Sequence, residues 1–316
     1  MTACSEASLA IGEPLPGTAP TAQCWIVIEQ PGPWGRPALA DSRLDPEVGR
    51  ALQAAMAQTG TRILLARRGD RREISGGRRL WVAHTAPGTA VLREGEIEDV
   101  RELLDWDLAA MAAGSLPEFG RVSAQPVLFI CTHGKRDVCC ATKGRAVIDT
   151  TLPLLDDAAR ERLWECSHLG GHRFAPTALA LPAGAVFGRV TSQVAAAILE
   201  RGPMDEAART CYRGRSSFPP PMQAAEARVR AELEAAPDAL DVLWVRGDRA
   251  IPVPPGDDLP GIASMLAEVR HVDGRAWRVS VRQEPLEAPR AESCGAEPVL
   301  GHRWQAIEFA PAPDWR

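Results

Sequence analysis

Lysine is nearly absent from this chain, and acidic residues outnumber basic ones only slightly. Of 36 basic residues only Lys135 and Lys143 are lysines, and the formal net charge is -5 over 316 residues. A charge this small gives no overall electrostatic drive toward nucleic acid or anionic membranes. We therefore expect neither as a partner.

Long apolar runs are also missing. No run approaches the roughly 18 to 20 residues that a membrane-spanning helix needs. The opening MTACSEASLAIGEPLPG lacks the basic and apolar regions of a secretory signal, so we expect a cytoplasmic protein. No paired carboxylates for glycoside hydrolysis and no nucleophile–base set can be recognised. What the chain does have is eight cysteines, and in a cytoplasmic protein clustered cysteines indicate metal or redox chemistry.

Strand and helix patterns alternate along the first two thirds of the sequence, which predicts an α/β (α+β) fold. A strand near 126–131, a helix near 141–164, a hairpin of strands 175–181 and 183–190 and a helix 191–202 give the β-α-β-β-α order of a thioredoxin-like unit. No internal repeat is visible. We predict a flexible N-terminal arm (1–22), an N-terminal α/β domain (23–118), a thioredoxin-like domain (119–215) and a C-terminal α+β extension (216–316).

The stretch VLFICTHGKRDVCC, residues 127–140, holds the first candidate ligands. A buried strand ends at Cys131, and Cys139 and Cys140 follow in the next loop. Adjacent side chains diverge, so Cys131 together with either Cys139 or Cys140 could contribute to one site. The eight residues between Cys131 and Cys140 exceed the spacing in zinc fingers and suit something larger than one ion.

The stretch ECSHLGGHRFAP, residues 165–176, holds the second set. The two glycines between His168 and His172 make a helical pair improbable and let the backbone approach a ligand closely. In a β-α-β-β-α unit this loop and the cysteine loop can share one sheet edge. Two thiols and two imidazoles would complete a zinc or iron–sulfur site, with Cys166 as a further candidate.

These two motifs, with WIVIEQPGPWG upstream, resemble the sucrase/ferredoxin-like family over roughly residues 20 to 205. The family is related to thioredoxin-like [2Fe–2S] ferredoxins. The resemblance implies a [2Fe–2S] cluster bound by Cys131, Cys140, His168 and His172. It also implies a redox partner protein, and an electron carrier rather than an enzyme with its own substrate.

Two alternatives use the same region of the sequence. The four residues could hold a structural zinc ion in an interaction protein. Cys139 and Cys140 could instead act as a metal-free dithiol on a thioredoxin-like scaffold, although the usual spacing there is Cys-x-x-Cys. The spacing alone also leaves open whether Cys139 or Cys166 replaces one of the implied ligands.

Overall fold

A ten-stranded mixed sheet organises residues 24–215. The computed structural model describes residues 3–69, 76–233, 235–237, 239–247, 249–253 and 259–312. The strands of the large sheet are β1 (Cys24–Glu29), β2 (Thr61–Arg68), β3 (Arg78–His84), β4 (Val91–Ile97), β5 (Arg121–Ser123), β6 (Val127–Cys131), β7 (Leu163–Cys166), β8 (Ala178–Leu181), β9 (Ala185–Phe187) and β10 (Tyr212–Arg215). Their spatial order is β10-β9-β8-β6-β7-β2-β1-β3-β4-β5. The predicted α/β (α+β) class is confirmed.

Helices cover one face of this sheet. The helices of the chain are α1 (Cys4–Ala10), α2 (Pro46–Thr59), α3 (Leu108–Ala112), α4 (Arg145–Thr151), α5 (Asp157–Arg160), α6 (Ser192–Arg201), α7 (Glu206–Arg209) and α8 (Pro220–Arg230). Along β1, Ile26 and Ile28 join the core beneath α2 and α3, whereas Trp25 and Val27 face the opposite side. Helices α4 and α6 cover the same face next to β6. The other face is therefore left to loops and the N-terminal segment.

The two halves of the sheet have the same topology. In the first half the order is β2-β1-β3-β4, with β1 parallel to β2 and antiparallel to β3. In the second half the order is β7-β6-β8-β9, with β6 parallel to β7 and antiparallel to β8. Strands β5 and β10 extend the two outer edges in the same antiparallel sense. The chain thus contains two thioredoxin-like units, a repeat that the sequence does not reveal.

The two units join through antiparallel pairing of β2 with β7, so strands from the predicted domains 23–118 and 119–215 share one sheet. Glu165 of β7 is fully buried at this seam and receives two hydrogen bonds from Arg67 of β2, at 3.0 and 2.6 Å. Arg145 of α4 pairs with the same carboxylate. One buried carboxylate therefore ties together both units and the helix that follows the cysteine loop.

Replacing Glu165 by alanine is expected to lower the free energy of unfolding by about 2 kcal/mol, since hydrogen bonds to charged groups contribute about that much. The matched control is Glu161→Ala, whose carboxylate pairs with Arg68 and Arg79 but is 42% exposed. Exposed ion pairs contribute at most about 1 kcal/mol. Urea denaturation should show a larger loss in the free energy of unfolding for Glu165→Ala than for Glu161→Ala. Equal losses would contradict the view that the buried Glu165 stabilises the junction between the two units.

The predicted flexible arm is wrong for the described residues 3–22. Helix α1 forms there, and Cys4 and Ala22 are buried in the core on the face of the sheet opposite α2, α3, α4 and α6. Glu13 is buried in ion pairs with Arg173 and Arg290. Ala19 and Ala22 of this segment are likewise buried against the sheet.

The helix predicted over 141–164 is also wrong in extent. Helix α4 ends at Thr151, followed by a 3₁₀ turn with Pro153, which cannot continue an α-helix. Asp156 then caps α5 through the backbone N–H of Ala159. The buried residues 163–166 form β7, the strand that pairs with β2 to join the two units. The predicted antiparallel hairpin of β8 and β9 is confirmed.

The C-terminal extension is a five-stranded antiparallel sheet packed on α8. Its long hairpin joins β13 (Ser264–His271) to β14 (Ala276–Pro285), with Asp273 and Gly274 in the turn. Between β14 and β17 (His302–Pro311) the chain leaves this sheet, and Arg290 reaches Glu13 beside α1. No helix in the described residues is long and apolar enough to cross a membrane. The strands of this region are β11 (Leu240–Arg246), β12 (Arg249–Ile251), β13 (Ser264–His271), β14 (Ala276–Pro285), β15 (Arg290–Ala291), β16 (Pro298–Val299) and β17 (His302–Pro311).

Candidate metal centre

Both Cys/His motifs leave the sheet at the same edge. Strands β6 and β7 are parallel and end in register, with Cys131 opposite Cys166. Loops that follow the carboxyl ends of neighbouring parallel strands lie side by side, a common location for ligand sites. The cysteine loop begins at Thr132 and the glycine loop at Ser167, so the fold brings the two motifs together.

Cys131 and Cys140 lie in contact beneath this edge. Cys140 begins a π-helical turn, Cys140–Gly144, of a kind often found at functional sites. A hydrogen bond from the Cys140 thiol lowers the pKa of the Cys131 thiol well below its ordinary value, and the same bond raises the pKa of Cys140. The two sulfurs therefore interact directly, with Cys140 as the donor. A Cβ at Gly144 would lie 2.2 Å from the Cys131 carbonyl oxygen, so only glycine permits this approach.

His168 and His172 face each other across the glycine loop, with ring centroids 5.4 Å apart. His168 also interacts with the Cys131 sulfur. The Nδ1 atom of each ring is buried and has no hydrogen-bond partner. Burial lowers the pKa of the His172 imidazole, which favours its neutral form. Both rings thus have a nitrogen that could bind a metal.

The glycine loop depends on Gly171, which adopts a left-handed φ of 71°. A Cβ there would lie 2.3 Å from the guanidinium of the buried Arg213. Arg213 in turn donates a 3.0 Å hydrogen bond to the carbonyl of Gly170. The glycines thus let the backbone close over a buried arginine and fix the position from which the two histidines project.

The four ligands implied by the resemblance therefore lie at one edge, but they are not packed as tightly as a single ion requires. Within the described part of the chain, these four residues do not form a group whose ligand atoms all lie within 4.8 Å of one another. A tetrahedral zinc site has shorter separations, about 3.8 Å between sulfurs. Their spread suits a larger group better than one ion.

Cys166, the further candidate from the sequence, and the neighbouring His133 both have structural roles. Cys166 is fully buried beside Cys131, and burial raises the pKa of its thiol well above the ordinary value, which makes it inert. The Nε2 of His133 forms a 2.7 Å hydrogen bond with the carbonyl oxygen of Gly35, and its ring packs edge-on against Trp34. The PGPWG loop of the first unit therefore supports the cysteine loop of the second.

Comparison with known proteins gives one match. The sucrase/ferredoxin-like family model matches residues 15–214. The chain belongs to this family. Neither a search of curated proteins nor one of solved structures gave a significant match. The region shared with the sucrase/ferredoxin-like family contains both thioredoxin-like units and both Cys/His motifs.

A second group of candidate ligands was missed from the sequence. The ligand atoms of Cys4, Asp137, Cys139 and Cys294 all lie within 4.8 Å of one another. Cys4 and Cys294 lie outside the part that matches the sucrase/ferredoxin-like family. Cys139 is in the motif, but its role there was assigned only as an alternative to Cys140. Together with family membership, this Cys/Asp group indicates a metal-binding protein.

Asp137, a member of the second group, also lies close to a histidine of the first group. Its carboxylate accepts hydrogen bonds from the backbone N–H of Cys139, at 2.8 Å, and of Cys294, at 2.9 Å. Burial raises the pKa of the Asp137 carboxyl, but these bonds outweigh it, and the pKa lies below its ordinary value. Its Oδ2 atom is 3.9 Å from the Nε2 of His172. A fixed negative charge therefore lies beside one of the candidate imidazole ligands.

Proposed function

We propose that this protein is a one-electron carrier with a [2Fe–2S] cluster held by Cys131, Cys140, His168 and His172. The observation that carries the proposal is the pair of thiols in contact at the end of β6, facing two imidazoles with buried, unpartnered ring nitrogens. Such a cluster supplies reversible one-electron chemistry when bound. The donor set of two thiolates and two neutral imidazoles fits it in chemical type.

Ligand spacing also supports a cluster over a single ion. The two sulfur ligands would bind one iron and the two nitrogens the other, as in Rieske centres. Ligands divided between two irons are farther apart than ligands of one tetrahedral ion, in line with the spread of the four residues.

The two sides of the proposed cluster site differ in burial, which suits electron exchange with a partner. Cys131 and Cys140 are buried, whereas His168 and His172 are half-buried at the surface. The imidazole side is thus the shorter route for an electron to and from a redox partner protein. The exposed Lys135 in the adjacent loop would favour the reduced, more negative state. We further propose a cytoplasmic location, supported by eight free thiols, which a reducing compartment maintains.

The metal-free dithiol alternative is disfavoured by where the adjacent thiols point. The Cys140 sulfur interacts with Cys131. The Cys139 sulfur instead lies 3.6 Å from Cys4 and 3.1 Å from Cys294. The two neighbours belong to separate groups and are not arranged to form a disulfide with each other.

The deciding experiment uses protein purified without oxygen. We expect a red-brown sample with a visible charge-transfer spectrum and about two irons and two acid-labile sulfides per chain. Cys140→Ser should lose both the colour and the iron, because it removes one of the two proposed sulfur ligands. Cys211→Ser, which changes a thiol buried under the second unit, should keep both.

Two results would overturn the proposal. A colourless protein whose only metal is zinc, lost in Cys140→Ser, would identify a structural ion at these residues. A colourless protein without any metal, after anaerobic handling and attempted cluster reconstitution, would exclude the cluster.

A further inference from the structure

Three sulfurs from distant parts of the chain form a compact triangle beside the candidate cluster ligands. The Sγ of Cys4 lies 3.6 Å from that of Cys139 and 3.6 Å from that of Cys294. The Cys139 and Cys294 sulfurs are 3.1 Å apart. All three distances are well above the roughly 2.05 Å of a disulfide. None of the three thiols is therefore bonded to another, and all three are available as ligands.

The Asp137 carboxylate completes a fourth corner. Both of its oxygens lie 3.8 Å from the Cys4 sulfur. In a tetrahedral site with zinc–sulfur bonds of about 2.3 Å, neighbouring sulfurs are about 3.8 Å apart and sulfur–oxygen edges are slightly shorter. Two of the three sulfur–sulfur distances, at 3.6 Å, are close to this spacing, the third is shorter at 3.1 Å, and all four donor atoms lie within 4.8 Å of one another.

The surrounding groups hold these donors in place. The backbone N–H groups of Cys139 and Cys294 each bond one oxygen of Asp137, so the same carboxylate positions two of the three thiols. The Ser5 hydroxyl donates a 3.3 Å hydrogen bond to the Cys139 sulfur. Partners of this kind fix ligand orientation in metal sites. The Asp137 side chain is almost wholly buried, and a buried carboxylate beside three thiols calls for a cation.

We propose that Cys4, Cys139, Cys294 and Asp137 form a second metal site, which takes a single thiol-preferring divalent ion of the zinc class. Thiolate sulfur selects zinc over magnesium or calcium, and four donors suit a closed structural site. Binding would displace the thiol protons, with no change in oxidation state.

This site is separate from the one proposed for the cluster, although the two adjoin. Cys139 and Cys140 are neighbours in the chain, but their sulfurs interact with different cysteines. Two of the four ligands, Cys4 and Cys294, lie outside the family match, which covers residues 15–214. The second site therefore does not depend on the [2Fe–2S] proposal.

An ion here would join three segments that are far apart in sequence. Cys4 is on α1, Cys139 ends the cysteine loop, and Cys294 lies on the excursion between β14 and β17. The buried Glu13–Arg290 pair already joins the first and last of these segments. A structural ion would thus fasten the C-terminal extension and α1 over the loop that carries Cys140.

The test is a metal analysis of the full chain, with zinc, iron and acid-labile sulfide measured on the same samples. We expect about one zinc per chain in the wild type. Zinc content should fall by more than about tenfold in Cys294→Ser and stay unchanged in the control Cys211→Ser. Circular dichroism of each variant checks that it is folded. The iron content of Cys294→Ser should match that of the wild type.

A titration of metal-depleted wild-type protein with cobalt(II) requires no variant. Cobalt bound by three thiolates should give strong sulfur-to-metal charge-transfer bands, and zinc should abolish them. The absence of such bands in fully reduced protein would overturn the proposal. So would a Cys139–Cys294 disulfide found by mass spectrometry in anaerobically prepared protein, or zinc that is lost in Cys131→Ser but kept in Cys294→Ser. Failure of the cluster proposal would instead appear as missing iron and sulfide with zinc still present.

Discussion

Replacing both His168 and His172 by cysteine is expected to lower the reduction potential of the proposed cluster by several hundred millivolts. Two thiolates in place of two neutral imidazoles add two negative charges and so disfavour the added electron. Rieske centres lie at about -150 to +300 mV, whereas plant-type four-cysteine ferredoxins lie near -400 mV. We expect a drop within about 250 to 700 mV for the double variant, measured by spectroelectrochemical titration.

The pH dependence of the potential provides a second measurement on the same samples. Loss of a ring proton from an imidazole ligand adds negative charge, so the wild-type potential should fall as the pH rises. The double variant has no ligand imidazole and should have a flatter profile.

His133→Cys is the matched control, because His133 lies in the neighbouring cysteine loop, where its Nε2 bonds the carbonyl of Gly35 and its ring packs against Trp34. Its potential should remain near the wild-type value. A shift in His133→Cys as large as that in the double variant, or no shift in the double variant, would remove the histidines from the ligand set.

The first candidate site was predictable because its signal is local. Cys131 ends a run of apolar residues that could only be a buried strand, and His168 and His172 flank a Gly-Gly pair that could only be a loop. The two loops share one sheet edge as expected, but the parallel strand β7 that places them there lies within the residues predicted as a helix. The choice of Cys140 over Cys139 or Cys166 came from the family resemblance and not from the spacing.

The second group was not predictable in this way. Cys4 and Cys294 have no neighbouring ligand residue in sequence, and each is brought to Cys139 by packing of α1 and of the excursion between β14 and β17. The repeat was hidden for a related reason. Strands β1 and β6 are equivalent in the two units, but the loop after β1 is rich in Pro and Gly and the loop after β6 is rich in cysteine. The two loops therefore have no sequence pattern in common by which the repeat could be recognised.

Glu13→Gln is expected to lower the free energy of unfolding at neutral pH by about 3 to 5 kcal/mol, the loss typical of breaking a buried ion pair. Both Glu13 and Arg290 have side chains that are 2% exposed, so the variant leaves the buried guanidinium with only the exposed Glu292, 3.5 Å away, as a counter-charge. Arg173 loses the same partner. Chemical denaturation at pH 7 measures the loss. The control is Glu6→Gln on α1, where a surface pair with Lys143 is broken at little expected cost.

The acid side of the stability profile gives a second test of the same residue. Burial raises the pKa of the Glu13 carboxyl, but the hydrogen bond from Arg290 and the charge of Arg173 outweigh it, so its pKa in the folded protein lies below the ordinary 4.5. A carboxyl with a lowered pKa stabilises the folded state above its unfolded pKa, and this contribution is lost as the pH falls through the folded value. Wild-type stability should therefore fall below about pH 4.5 more steeply than that of Glu13→Gln. Parallel acid profiles would mean that the pKa of Glu13 is the same in the folded and the unfolded protein.

The Glu13 variant also connects the ion pair to the proposed second metal site. Glu13 and Arg290 hold together the two segments that supply Cys4 and Cys294, so breaking the pair lets these sulfurs separate while all four ligands remain in the chain. We expect weaker zinc binding in Glu13→Gln and unchanged binding in Glu6→Gln, measured by competition with a chelator. If zinc affinity were unchanged while stability fell, the ion would be bound by a locally rigid group that does not need the pair. The packing of α1 against the C-terminal excursion would then be a consequence of metal binding and not a requirement for it.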